Sequence, residues 1–238
     1  MKESHGSMAD NPERPPHRPI IYDLYDEPMS GEAIEARSFE IIDREVPSRA
    51  FSEEQWQVVR RMIHTTADFG LLGQIRFSAD AIVAACSALR AGVPIFVDSN
   101  MIRSGISLAR LKAVSGKYNS ESLICHVADD DVADAARETG LPRSLYAVRK
   151  AKPGLQGGIA VFGNAPVALM ELSRFIMEES IRPAFVIAMP VGFVHVTESK
   201  DEFMALGVPY VAVAGRRGGS PLAVSALHAL CALAIETE

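Results

Sequence analysis

Thiols are scarce in this chain of 238 residues: Cys86, Cys125 and Cys231 are the only cysteines. An odd number with no C-x-x-C pair argues against a disulfide framework or a thiolate zinc site, and suits a reducing, cytoplasmic setting. Positive charge is also in deficit. A formal net charge of -6 argues against broad binding to nucleic acid or an anionic membrane, while leaving room for a local basic pocket. Long hydrophobic runs are missing too. The longest, from Pro221 to Ile235, is too short to span a bilayer and contains Ser225 and His228, so it reads as a buried helix. The opening residues lack the apolar core of a secretory signal.

What remains is ordinary for a soluble globular protein: 48% hydrophobic and 23% charged residues, in a length that suits one large domain. Residues 1–20 are polar, with prolines at 12, 15, 16 and 19, and read as a disordered tail ahead of a domain over 21–238. Helical spacing then runs through "SGEAIEARSFEIIDREV". Ser52 and Gln55 make a capping-box pair at the head of "FSEEQWQVVRRMIHTTA", and Gly92 closes a helix over "FSADAIVAACSALRAG". "VPIFVD", "SLICHV", "GIAVF", "PAFVIAM" and "PYVAVA" are short, continuous apolar runs, as in strands buried on both faces. Helical segments separate them: "NMIRSGISLARL", "DDVADAARETG", "NAPVALMELSRFIMEE" and "HVTESKDEFMAL". The alternation predicts an α/β fold, a mainly parallel sheet flanked by helices.

In such sheets ligands bind beyond the carboxyl ends of the strands, so the loops after the apolar runs matter most. "VDSNMIRSGI" offers Asp98, Ser99 and Asn100. In "VFGNAP", Asn164 is placed to cap the next helix and Pro166 fits its first turn. "MPVGFVHVTESK" bends at Gly192 and carries Glu198 and Lys200. "AGRRGGSPLAV" sets Arg216 and Arg217 before Gly218, Gly219 and Ser220, with a helix from Pro221. Two guanidiniums, free backbone N–H groups and a helix N-terminus together favour an anion. The turn matches neither common phosphate-binding glycine motif, and a plain glycine turn stays open as a reading. Asp129 to Asp131 read as a solvated helix start that complements the dipole.

No two histidines lie at metal-ligand spacing, so no resident metal is expected. His228, in the apolar last helix, reads as a core histidine with one backbone partner. His195 sits in a loop after a strand. His64 lies beside a stripe of Trp56, Val59, Ile63 and Ala67, on the flank of Arg60 and Gln57. Spacing alone favours a half-buried histidine there over one facing a cleft.

Several blocks together resemble one family. "RSFEIID", "VRRMIH", "AGVPIFVDSNM", "GNAPVAL", "PVGFVHVTESKDEF" and "GRRGGSPLAVSALHAL" follow the order and spacing of the precorrin-8X methylmutases, over roughly residues 22–233. The resemblance implies an isomerase of cobalamin biosynthesis that moves a methyl group from ring carbon 11 to ring carbon 12 of precorrin-8X or cobalt-precorrin-8, giving hydrogenobyrinate or cobyrinate. It implies a corrinoid substrate, a homodimer and no cofactor. It makes His64 the general acid and adds Ser38 and Arg143 as substrate contacts. Asn164, Lys200, Arg216, Gly218, Gly219 and Ser220 join them as donors to the carboxylates that ring the corrinoid.

The chain departs from the family in four places. "HVTESK" stands where "GAAESK" is usual, His228 where asparagine is usual, and Pro142 where threonine precedes the arginine. "HTTADF" replaces the common "HA[CT]G". The departures around His195 and His228 motivate one alternative on the same fold, a non-catalytic corrinoid carrier. A generic α/β enzyme taking a phosphorylated metabolite at "GRRGGS" would explain only one of the blocks.

Overall fold

A computed structural model describes residues 18–48 and 50–236. The chain forms two compact units, one ending at Ile41 and the other running from Ile42. The tail expected over residues 1–20 falls mostly outside the described residues. The first unit holds helix α1, Ile21–Asp26, and the greater part of α2, Gly31–Glu45, which continues into the second.

The second unit alternates as its apolar runs require. Helix α3, Glu53–Thr66, is followed by strand β1, Ile75–Phe77, helix α4, Ala81–Ala91, and strand β2, Ile95–Val97. Two short helices, α5 (Asn100–Gly105) and α6 (Leu108–Val114), lead to β3, Leu123–Ile124. Then come α7 (Asp130–Thr139), α8 (Arg143–Leu155), β4 (Ile159–Phe162) and α9 (Pro166–Glu179). The chain ends through β5 (Phe185–Ala188), α10 (Val196–Met204), β6 (Tyr210–Val213) and α11 (Ser220–Glu236).

The six strands lie in the order β1-β6-β5-β4-β2-β3, all neighbours parallel except β1, which pairs antiparallel with β6. All five apolar runs are strands. Alternate side chains leave the sheet on opposite faces. Phe96, Ala160, Phe162, Val186, Ala188 and Ala212 pack with Val148, Leu155, Leu169, Leu172, Phe175 and Phe203 from α8, α9 and α10. On the other face α11 packs against α3, α4, α5 and α6. Both faces are covered, which is why these runs are continuously apolar.

Three elements differ from expectation. Strand β1 alternates in exposure as Ile75, Arg76 and Phe77, an edge pattern too short to register as a run. Helix α8 forms although Pro153 and Gly154 lie inside its last turn. "NMIRSGISLARL" is two helices, because Ser99 and Ser107 each cap a fresh first turn.

The capping box on α3 is present: Ser52 Oγ accepts from the Gln55 N–H at 3.2 Å, and Gln55 Oε1 from the Ser52 N–H at 3.1 Å. Its buried stripe holds Trp56, Val58, Val59, Met62 and Ile63. Ala67, expected in that stripe, instead ends the helix in the left-handed region at φ 52° and is exposed.

Candidate active site

The strand order reverses between β2 and β4: β3 lies to one side of β2, while β4, β5 and β6 extend to the other. Ligands favour the carboxyl side of such a switch point. Here Asp98, directly after β2, crosses the gap. It is 1% exposed. Its Oδ1 accepts from the Gly163 N–H at 3.2 Å, and its Oδ2 from the Asn164 and Ala165 N–H groups at 2.8 Å each. Burial pushes this carboxyl up to about 6, against the pull of those donors. The sequence places Asp98 in this loop without giving it a task.

The same contacts correct the reading of Asn164 as a helix cap. Ala165 occupies the cap position of α9, with Pro166 in the first turn as expected, and no side chain caps it. The Asn164 backbone is held by Asp98, and its residue is exposed at the edge.

The remaining loops are tied to one another. Ser99 Oγ lies 3.2 Å from Ser220 Oγ. A Cβ on Gly163 would meet the Ser220 Cα at 2.9 Å, so β4 and the start of α11 approach too closely for a side chain. The Gly219 N–H donates to the Met189 carbonyl at 2.9 Å, and the Gly192 N–H to the Arg216 carbonyl at 3.3 Å. Arg216 sits over the Phe193 ring, 5.5 Å from its centroid. Phe193 and Val194 are 83% and 71% exposed, an apolar lip beside a guanidinium. His195 follows in the left-handed region at φ 56°, at the start of α10.

Lys200 lies under this turn rather than on its rim. It is fully buried, and its Nζ donates to the carbonyls of Gly215 at 2.9 Å and Arg217 at 2.6 Å. Burial lowers it to about 8, so it stays mostly charged at neutral pH. Arg217 is engaged as well, its Nη1 lying 2.8 Å from the Asp68 carboxylate. That ion pair joins the turn to the end of α3, whose last turn carries the exposed His64.

Arg143 is the first residue of α8. The carbonyl of Leu155, at the other end, accepts from the Gly158 N–H just before β4. Thus α8 ends at the amino edge of the sheet and begins about 18 Å away, toward the carboxyl side. Arg143 is exposed and makes no ion pair among the described residues. Ser38 lies on α2 in the first unit, where its hydroxyl donates to the Ile34 carbonyl at 2.8 Å.

The second unit therefore gathers Asn164, Arg216, Gly218, Gly219 and Ser220 along one edge, with Lys200 beneath. Sequence reading passes over Asp68 and Phe193. Only an unusual post-helix acid and an aromatic in a glycine loop hinted at them. His228 takes a structural place: its Nε2 accepts from the Ser107 N–H at 2.9 Å. The expected solvated start at Asp129–Asp131 is partly tied down, since Asp129 and Asp131 both bind Lys150 at 2.7 Å and His126 Nδ1 lies 2.8 Å from Asp129. Among the described residues, no group of three or more His, Cys, Asp or Glu side chains could hold a metal ion. No described helix is long and apolar enough to cross a membrane.

An open α/β sheet carrying hydrogen-bond donors and an exposed apolar lip along its carboxyl edge is the arrangement of an α/β protein with a ligand site at its strand ends. A family model described as precorrin-8X methylmutase matches residues 33–233, and the chain belongs to that family. It is 40% identical over 211 residues to the cobalt-precorrin-8 methylmutase of Leptospira interrogans, covering 85% of this chain and 94% of that one. It is 38% identical over 208 residues to the precorrin-8X methylmutase of a Sinorhizobium species, covering 87% and 96%. The crystal structure of precorrin-8X methyl mutase from Thermus thermophilus superposes with a TM-score of 0.79 at 42% identity, covering 87% and 97%. The chain is accordingly an enzyme, an isomerase of cobalamin biosynthesis that shifts a methyl group within one molecule.

Proposed function

We propose that the chain moves a methyl group from ring carbon 11 to ring carbon 12 of precorrin-8X or cobalt-precorrin-8, with His64 as general acid. The observation that carries this reading is the Arg217–Asp68 ion pair. It ties Asp68, just past the His64 helix, to the glycine turn, which supports a reading in which His64 works beside an anion-binding loop.

The reaction is a 1,5-sigmatropic shift. One carbon–carbon bond breaks at ring carbon 11 as another forms at ring carbon 12, and nothing enters or leaves overall. A proton lent to the ring as conjugation changes lowers the barrier, and an imidazole, which can both give and take a proton, suits that task. A positioned general acid contributes about 10²–10⁴-fold. Holding the ring in a reactive tautomer supplies much of the rest.

The substrate is a broad apolar plane ringed by acetate and propionate carboxylates. Phe193 and Val194 offer apolar contact, while Asn164, Arg143, Arg216, Gly218 and Ser220 offer donors on a protein of net charge -6. Ser38 is assigned a substrate contact through the family resemblance alone. The Gly219 N–H already serves the Met189 carbonyl, so Gly219 contributes by its backbone freedom, at φ 124°. The enzyme acts as a cytoplasmic homodimer.

Turnover of precorrin-8X, followed by the ultraviolet–visible change to the corrin product, tests the reaction. Metal-free and cobalt-containing substrates run side by side identify the natural ring. A His64→Ala enzyme that kept wild-type turnover would remove His64 from its role.

A further inference from the structure

We propose that Lys200 is a positioning residue for carboxylate recognition, holding two carbonyls of the glycine turn inward so that the Arg216 and Gly218 N–H groups face out toward the substrate. This rests on the corrinoid reading above and gives the turn a specific partner, a peripheral carboxylate of the ring.

The geometry follows from peptide planarity. In a trans peptide the carbonyl of one residue and the N–H of the next point in opposite directions. The carbonyls of Gly215 and Arg217 both accept from the Lys200 ammonium. The N–H groups of Arg216 and Gly218, sharing those two peptides, are therefore aimed away from the buried lysine. Neither donates to a protein acceptor among the described residues. Arg216 is exposed and Gly218 half-buried.

The turn cannot relax out of this arrangement. A Cβ on Gly218 would lie 2.2 Å from the Met189 carbonyl oxygen and 2.6 Å from that of Pro190, so the backbone is pressed against the loop after β5. Gly219 anchors the same loop through Met189, and Arg216 accepts from Gly192. The lysine adds charge as well as shape. Asp201 acts on it through space without an ion-pair contact, and the rest of its positive field favours an anion at the turn it supports. A direct contact with substrate is excluded by its burial; Lys200 acts through the two amides.

The test compares one corrinoid product in two forms, the free polycarboxylic acid and its fully methyl-esterified derivative. They share the ring and differ in anionic charge. Binding is measured by fluorescence quenching with wild-type enzyme and Lys200→Met, with folding checked by circular dichroism. Loss of the positioning cation weakens binding of the acid at least about tenfold and leaves ester binding within about twofold. Equal loss for both forms, or no loss for either, would overturn the assignment. Should Lys200→Met not fold, amide shifts of the 15N-labelled wild type decide: the acid moves the Arg216 and Gly218 amides downfield and the ester does not. Shifts in neither, with the acid bound, would also overturn it. Wild type that binds no corrinoid acid at all would instead fail the functional reading itself.

Discussion

Arg217 and Asp68 meet at 2.8 Å across 149 positions of sequence, and each side chain is nearly half exposed. A pair so exposed to water contributes roughly 0.2–1 kcal/mol to stability. Its importance is positional, because it connects the glycine turn to the end of the helix that carries His64. Asp68→Asn should leave the thermal midpoint within about 4 °C of wild type while lowering kcat about tenfold, roughly 1.4 kcal/mol of barrier. Arg217→Gln should do the same. The double variant, no worse than either single one, would be the signature of one shared link, read in a double-mutant cycle on kcat.

Asp98 should matter to stability. Asn in its place keeps one acceptor oxygen and turns an amide toward backbone donors, costing about 1–3 kcal/mol by urea denaturation. The pH dependence has a definite sign. With its folded value raised to about 6 from 3.8, Asp98 holds its proton longer in the folded chain than in the unfolded one. Its contribution is complete below pH 3.8 and is lost as pH rises through about 6. Unfolding curves across this window should show a declining component in wild type that Asp98→Asn lacks.

Gly218→Ala places a methyl group against two backbone carbonyl oxygens, at 2.2 and 2.6 Å. Backbone cannot yield as a flexible side chain would. The turn should shift, with a loss of about 1–3 kcal/mol. A rise in KM larger than the fall in kcat would show that the turn serves binding; calorimetry and steady-state kinetics together read both.

His228→Ala should destabilise without touching the site. It strands the Ser107 N–H, and with it the start of α6 where that helix packs on α11. The expected loss is about 1–3 kcal/mol. His228→Asn, which restores an acceptor there, should recover part of it, with kcat and KM unchanged in both variants.

The fold was largely readable because its strands are covered on both faces: "GIAVF" and "PAFVIAM" have no polar positions to confuse period with burial. Strand β1 was not, since Arg76 at an antiparallel edge breaks the run. Helix α8 hid behind Pro153 and Gly154, whose unfavourable intrinsic preferences are outweighed by the packing of Val148, Ala151 and Leu155 against the sheet. At the site, sequence could point to the loops after strands, yet it could not assign Asp98 or Lys200. The partners of Asp98 lie 65 to 67 positions away and those of Lys200 15 and 17 away, all of them main-chain atoms that carry no residue signature. Residue type alone made Lys200 a rim donor; only its burial reveals a support.

The two outer strands have a consequence for assembly. One margin of the sheet is β3, with two residues, and the other is β1, with three. Little unpaired main chain is left there to template a strand from another molecule. Edge-to-edge extension of the six-stranded sheet is therefore disfavoured at both margins.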